Sequence, residues 1–351
     1  MQIKKIIYLI AIILTITNLS SCYDSTEVDD MVYILAIGID ESSETENTYT
    51  FQAAVPLNIS SGVETGFAEA EESVTVQNIS VVANNLLSAI EIANGNLAKE
   101  INISHCKIVV FHKEIDSKIF KNNIITINSY DKFNTETLVA MCENKASDYL
   151  DAISSPFEKN PARYYSMYFK KGFSLSAVNT KISNFEKTAA LALPLLAQSN
   201  KNRAVIIKDF KKTVELSEEE TFALNIISGK FKKGYLSTNE NNISAQIYTC
   251  SSKISVNTNN INPIFNIELK LQGKFFSDSA NNNKHKEKIE NYIKKTVMDY
   301  LEKSAKYNVD VTELIKHSRL NFLTTKAYQN YDLEKKFSQS QFNVIIDFQA
   351  I

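Results

Sequence analysis

A chain of 351 residues with 38 basic and 40 acidic side chains, and a formal net charge of −2, offers neither a basic face for nucleic acid nor an acidic tail for a cationic partner. Arg163, Arg203 and Arg319 are the only arginines, which argues against a surface built on bidentate recognition of phosphate or carboxylate. The length exceeds what one core usually holds, so two or three domains are expected.

The first element is Met1 to Cys22, MQIKKIIYLIAIILTITNLSSC. Lys4 and Lys5 form a positive start, Ile6 to Leu14 an apolar run, and Leu19-Ser20-Ser21-Cys22 brings small residues up to a cysteine, the order of a lipoprotein signal. As a helix, roughly ten apolar residues span about 15 Å against a hydrocarbon core of about 30 Å. The segment is too short to remain as a membrane span. Residues 1–21 are therefore expected to be removed by cleavage between Ser21 and Cys22, with Cys22 taking a diacylglycerol thioether and an acyl chain on its freed amine. The alternative is an ordinary secretory peptide cleaved near Ser20 or Ser21, leaving Cys22 as a thiol.

Residues 22–153 are expected to form an N-terminal α+β domain. After a polar tether, Tyr23 to Asp30, the apolar run Met31 to Ile39 and the stretch Tyr49 to Val55 read as a hairpin closed by Gly38 and Asp40 and ended by Pro56. Ser60 to Glu72 reads as an exposed loop. A helix is predicted next, with Ser80 as cap, Val82, Leu86, Ala89, Ile90 and Ala93 at helical spacing, and Asn94-Gly95 as its stop. Cys106 to Phe111, a helix after Asp116, and Leu138 to Cys142 make a strand-helix-strand unit whose strands, apolar on both faces, belong in a sheet centre. Ala146 to Ile153 reads as a helix over that sheet.

Residues 154–202 are read as a middle region and linker, punctuated by Pro156 and Pro161, with Tyr164, Tyr165, Tyr168 and Phe169 close together and an apolar run, Ala189 to Ala197, containing Pro194. Such an aromatic cluster is more often core than contact surface. Residues 203–351 are expected to form a C-terminal α+β domain. Ala204 to Ile207 is strand-like, and Val214 continues the pairing. Ser217-Glu218-Glu219-Glu220 is a capping box opening a helix that ends at Gly229; the acidic run complements the helix dipole rather than a metal. Phe265, Ile267, Leu269 and Leu271 alternate with polar residues in a one-sided strand. A long helix from about Lys284 to Lys306 buries Ile289, Tyr292, Ile293, Val297, Tyr300 and Leu301. A second helix is expected to begin at Asp310, capped with Glu313. Phe342, Val344, Ile346 and Phe348 alternate in the last strand. The predicted class is α+β: several domains, about three, of mixed sheets with packed helices.

With Cys22 spent on lipid, Cys106, Cys142 and Cys250 remain, with no metal-ligand spacing among them. Cys106 and Cys142 flank neighbouring predicted strands, so a bridge is open, as is the plainer reading of buried reduced thiols. His105 and His112 bracket one strand at an odd separation and so point to opposite faces, while His285 and His317 lie in separate helical segments. No GxSxG, HExxH, GxGxxG or Walker loop is present. Catalytic, cofactor and metal sites are accordingly not expected.

Several stretches carry a resemblance. Cys22-Tyr23-Asp24, Glu27-Val28, Gly38-Ile39-Asp40, Gln52 and Pro56, then His105-Cys106-Lys107 leading into Glu114, and Lys145-Ala146-Ser147 with Leu150, resemble the GerC family, the lipoprotein C subunits of spore germinant receptors. Ala204 to Gly229, AVIIKDFKKTVELSEEETFALNIISG, resembles the family's C-terminal domain signature. Tyr23 stands where the family usually has tryptophan, and Tyr130 to Glu136 and Asn308 to Val311 depart from its pattern. The resemblance implies three α+β domains on the outer face of the inner spore membrane, lipid-anchored beside polytopic A and B subunits. It implies a role in nutrient signalling rather than catalysis. The competing class is the solute-binding lipoprotein of a membrane transporter, which would show two similar lobes around a cleft.

Overall fold

The computed structural model describes residues 30–43, 46–55, 75–97, 99–134, 137–152, 164–165, 190–197, 202–229, 231, 233–238, 243–276 and 282–351. They form an α+β structure with two mixed sheets. The first runs in the order β3-β2-β1-β5-β6-β7-β8-β9, with β4 paired to β1, and the second in the order β10-β11-β12-β13.

In the first sheet, β1 (Met31–Glu41), β2 (Asn47–Val55) and β3 (Thr75–Ala83) form an antiparallel meander, and β4 (Glu100–Asn102) and β5 (Ile108–His112) run parallel to β1. β6 (Leu138–Cys142) and β7 (Ala190–Leu196) extend the parallel part, and β8 (Arg203–Lys208) and β9 (Lys211–Leu216) return antiparallel. The central strands are apolar on both faces because both are covered. Ile37, Val109, Phe111, Val139 and Val205 pack with helices α1 (Leu86–Leu97) and α2 (Ser117–Ser129). On the opposite face, Ala36, Ile108, Val110, Ala140 and Ile206 belong to a core shared with α3 (Ala146–Ala152) and α4 (Glu218–Ile227).

The second sheet comprises β10 (Gly234–Thr238), β11 (Ile243–Asn257), β12 (Ile264–Phe275) and β13 (Gln341–Ala350), the last parallel to β12. Phe265, Ile267, Leu269 and Leu271 turn inward on β12, as the alternation requires, and meet Ile289, Ile293, Val297 and Leu301 of α5 (Asn282–Lys306). Short helices α6 (Leu314–His317), α7 (Thr325–Tyr331) and α8 (Leu333–Lys336) carry the chain back to β13. The inner cores of the two sheets are one contiguous apolar cluster. Its middle is α4, which touches β8 and β9 on one side and β11, β12 and α5 on the other. Every residue from Thr221 to Ile227 is buried, as a helix between two sheets must be.

Four expectations are corrected. Ser80 is inside β3 and caps no helix; Thr75–Ala83 is rich in β-branched residues and pairs along the whole of β2. The helix begins at Leu86, where the Asn85 side chain accepts from the Ser88 amide at 3.0 Å. Asn94-Gly95 does not stop it; Asn94 instead accepts from the Ile101 amide at 2.7 Å and holds the return into β4. Asp310 does not open a helix: α6 starts at Leu314, with Glu313 at φ +60° outside any capping box, while the Asp310 carboxylate accepts from the amides of Leu314 (2.9 Å) and Ile315 (2.7 Å). The apolar run around Pro194 is strand β7, tolerated because the β6–β7 ladder pairs only Met141 with Leu195 and Cys142 with Leu196, past the proline. Ser60 to Glu72, Tyr168 and Phe169 lie outside the described residues.

At Gly273, opposite the bulge in β11, an added Cβ would come 2.2 Å from the Gln246 carbonyl oxygen and 2.9 Å from Phe348 Cζ. Gly273→Ala is therefore expected to destabilise the protein by about 2 kcal/mol, the middle of the range for overpacking, seen as a lowered thermal midpoint. An unchanged midpoint would mean that the two strands separate freely there, contrary to the packing described.

Candidate functional site

The segments that carry the resemblance are far apart in sequence, and the fold brings them into mutual contact at two places. The first is the end of β1. Asp40, buried, accepts from the Ala146 amide at 2.7 Å and the Ser147 amide at 3.0 Å, so its carboxylate is the cap of α3. Gly38 allows the approach: a Cβ there would lie 3.1 Å from Ala146 Cβ and 3.1 Å from Leu150 Cδ1. Gln52, on the neighbouring strand and 0% exposed, donates to the Leu150 carbonyl at 3.0 Å and accepts from the Tyr165 hydroxyl at 2.8 Å. Each polar group in this buried node has its partner, as burial demands. Burial raises the Tyr165 hydroxyl pKa, so at neutral pH it is the donor in that bond.

The second place joins β5, β6, β8 and β9. Glu215 receives Lys113 at 3.1 Å, Arg203 at 3.1 Å and Lys212 at 3.2 Å. Arg203 also reaches Glu143, and Lys212 also reaches Glu114. Partial burial would raise the Glu215 carboxyl, but hydrogen bonds and charge from Lys113 and Lys212 outweigh it and hold it below the ordinary carboxylate range. Below this network, α4 has the predicted capping box: Ser217 Oγ accepts from the Glu220 amide at 3.2 Å, and Glu220 accepts from the Ser217 amide at 2.8 Å. Lys303 of α5 then donates to Glu220 at 2.7 Å and to the Glu215 carbonyl at 2.8 Å. The acidic run is a helix start held by a lysine.

His105-Cys106-Lys107 is a third junction, made by the backbone. The Lys107 amide donates to the Leu35 carbonyl at 2.8 Å, the Leu138 amide to the Lys107 carbonyl at 2.9 Å, and the Thr137 hydroxyl to the Cys106 carbonyl at 2.9 Å, so this segment binds the middle of β1 to the starts of β5 and β6. His105 meets the Tyr33 ring edge-on at 5.2 Å, and His285 packs 6.0 Å from Phe275. Among the described residues no group of three or more His, Cys, Asp or Glu side chains converges as a metal site would.

Cys106, Cys142 and Cys250 are free thiols, the first two buried. Burial pushes the Cys106 thiol up to about 12 and the Cys250 thiol up to about 11. Cys142 is also raised, by burial first and then by Asp40 and Asp148. Raised thiols are poor nucleophiles at neutral pH, so none of the three is poised for covalent chemistry. A groove of about 480 Å³ opens between the end of α4, β11 and α6, lined by Ile227, Gly229, Ser252, Thr312, Lys316 and His317. Ser21 and Cys22 lie outside the described residues. No helix among the described residues is long and apolar enough to cross a membrane.

Sequence spacing singled out the capping box, because both its partners are local. It missed the roles of Asp40 and Tyr165, whose partners are 106 and 113 residues away. The resemblance marked Asp40, Gln52, Ala146, Ser147 and Leu150 as separate fragments, while Tyr165 stood out only as a member of the aromatic cluster of residues 154–202.

Comparison with known proteins extends this picture. Residues 24–208 match the family model described as the spore germination protein N-terminal domain, and residues 202–351 the model described as spore germination B3/GerAC like, C-terminal. The spore germination protein KC of Bacillus subtilis (strain 168) is 22% identical over 162 residues, 46% of this chain. That match spans 39% of the relative's own length, about two fifths. The crystal structure of the GerBC protein superposes with a TM-score of 0.57 at 17% identity, over 90% of this chain and 96% of that one, a likeness of fold.

Two outcomes follow from the buried groups. Asp40→Ala leaves two α3 amides without their acceptor and is expected to cost about 1–2 kcal/mol, with Asp40→Asn, which keeps an acceptor, costing less; urea denaturation of both variants decides this. The thiols stay protonated in the folded state up to higher pH than in the unfolded chain, whose thiols titrate near about 8.5. Stability is thus full below that value and is expected to fall as pH rises from there toward about 12, the value for Cys106. A flat denaturation midpoint across that window, or fast labelling of Cys106 or Cys142 by a disulfide reagent at neutral pH, would contradict the burial described.

Proposed function

Because the chain belongs to the GerC family of spore germination proteins, we propose that it is the lipid-anchored, non-enzymatic C subunit of a spore germinant receptor. In this reading it acts with polytopic A and B subunits in nutrient-triggered germination, on the outer face of the inner spore membrane. The observation that carries the reading is the pairing of the two family domains with the Met1–Cys22 pattern ahead of them. The contacts among the family-marked residues support a role for the fold as a rigid platform: they are spent on joining strands and helices.

Anchoring at Cys22 gives such a platform a defined place. The eight residues from Tyr23 to Asp30 span at most roughly 28 Å when extended, so β1 begins close to the headgroups. Two or three acyl chains of the diacylglycerol and palmitate type hold the protein stably, each buried methylene contributing about 0.8 kcal/mol. Confinement to a thin layer raises the effective concentration near membrane-embedded partners, so weak contacts become occupied.

Cys22→Ala is accordingly expected to leave the folded protein intact while reducing the germination response of spores that carry it. The measurement is the loss of optical density after nutrient addition, alongside an immunoblot of the spore membrane fraction. A full response from unlipidated protein would refute the anchoring step, and recovery of a permease and its ATPase with the tagged protein would replace the receptor reading by a transport one.

A further inference from the structure

Two turns project from the same end of the second sheet, and the fold ties them together. The turn Ser318–Asn321 is fastened to β11 by Asn321, whose amide donates to the Val256 carbonyl. Tyr331 donates to the Asn260 carbonyl in the β11–β12 turn at 3.2 Å. Phe322 fills the space behind, 5.6 Å from the Tyr328 ring and 5.4 Å from the Tyr331 ring. On this support three large aliphatic side chains stand almost wholly in solvent: Ile261 is 87% exposed, Leu320 93% and Leu323 104%.

The same end is basic. Lys316, Arg319, Lys326, Lys335 and Lys336 lie in its segments, against Glu313, Asp332 and Glu334, while Lys253 stands opposite Glu268 across β11 and β12 and adds no net charge. Glu313 is paired with Lys316 and Asp332 with Lys335, both at 2.6 Å, and Lys336 lies 3.8 Å from the centre of the Tyr331 ring. Positive charge is therefore left in excess around the aliphatic tips, with aromatic rings between.

We infer that this tip is a second membrane contact, in which Ile261, Leu320 and Leu323 enter the headgroup region of an anionic bilayer and the surrounding lysines and Arg319 meet its phosphates. Side chains that project singly need no complementary pocket, which suits a fluid surface. Aliphatic tips, an aromatic layer and a cationic rim are the order in which an interfacial segment meets lipid. The inference rests on the anchored reading, which keeps the ectodomain beside a bilayer. With two attachments, the lipid at Cys22 and this tip, the ectodomain would hold one orientation over the membrane.

The chain contains no tryptophan, so a single introduced indole reports alone. Leu320→Trp and Leu323→Trp, in the full chain processed and reconstituted into vesicles of phosphatidylglycerol and phosphatidylethanolamine, are expected to emit at shorter wavelength than in detergent-free buffer. Acyl-chain-brominated lipid should quench them. Tyr235→Trp, on β10 at the other end of β11 and replacing a side chain 73% exposed, is expected to show neither effect. Flotation of the same vesicles reads the anchor separately. Protein that floats while its indoles at 320 and 323 remain open to aqueous iodide overturns the tip alone. Protein that does not float overturns the anchor and the inference with it. A blue shift that needs co-reconstituted polytopic subunits overturns the lipid contact in favour of a protein one.

Discussion

The carboxylate of Asp40 is the contact on which the first half of the structure depends. A charge buried at the end of a central strand is costly unless it is bonded, and the groups that bond it are the free amides at the start of α3. That requirement fixes α3 against Gly38, which has no side chain to keep it away. Once α3 is fixed, the carbonyl of Leu150 is in place for Gln52, and Gln52 for Tyr165. A single electrostatic need at one strand end thus orders a helix, a neighbouring strand and a residue from the region that follows.

The same logic governs the junction of β5, β6, β8 and β9, with the signs shared among more groups. Glu215 alone among three cations would be two negative charges short, and Glu143 and Glu114 supply them on the other sides of Arg203 and Lys212. Because these residues come from strands before and after β7 in the sequence, the network ties β5 and β6 to β8 and β9 across β7, whose pairing with β6 is short. This chain and the GerBC protein share a fold at 17% identity.

What could be read from the sequence was what is local. The β12 and β13 alternations, the α5 stripe and the Ser217 capping box each depend on neighbours within one element, and each is as expected. The end of β3 was misread because Val82 falls at helical spacing from Leu86, Ala89 and Ala93, with Ser80 in a cap's position before it, and only pairing with β2 selects the strand. Helix α6 was misplaced because Asp310 was given a cap's usual spacing. Its carboxylate instead reaches amides four and five residues on, across a left-handed Glu313. Asp40 and Tyr165 were invisible to periodicity, since nothing in the chain around them records a partner more than a hundred residues away. The exposed aliphatic tip was likewise unmarked: Leu320 and Leu323 carry the same letters as core residues, and only the fold puts them outside.

Helix α4 is a wall common to both sheets, buried along nearly its whole length. A wall of that kind removes the seam along which two units usually part. Neither sheet can swing against the other without exposing Phe222, Leu224 and Ile226, so the chain should melt as a single cooperative body. Its slowest-exchanging amides should be those of α4 itself. A push delivered at the first sheet would arrive at the second as a whole-body displacement, with little lost to bending in between.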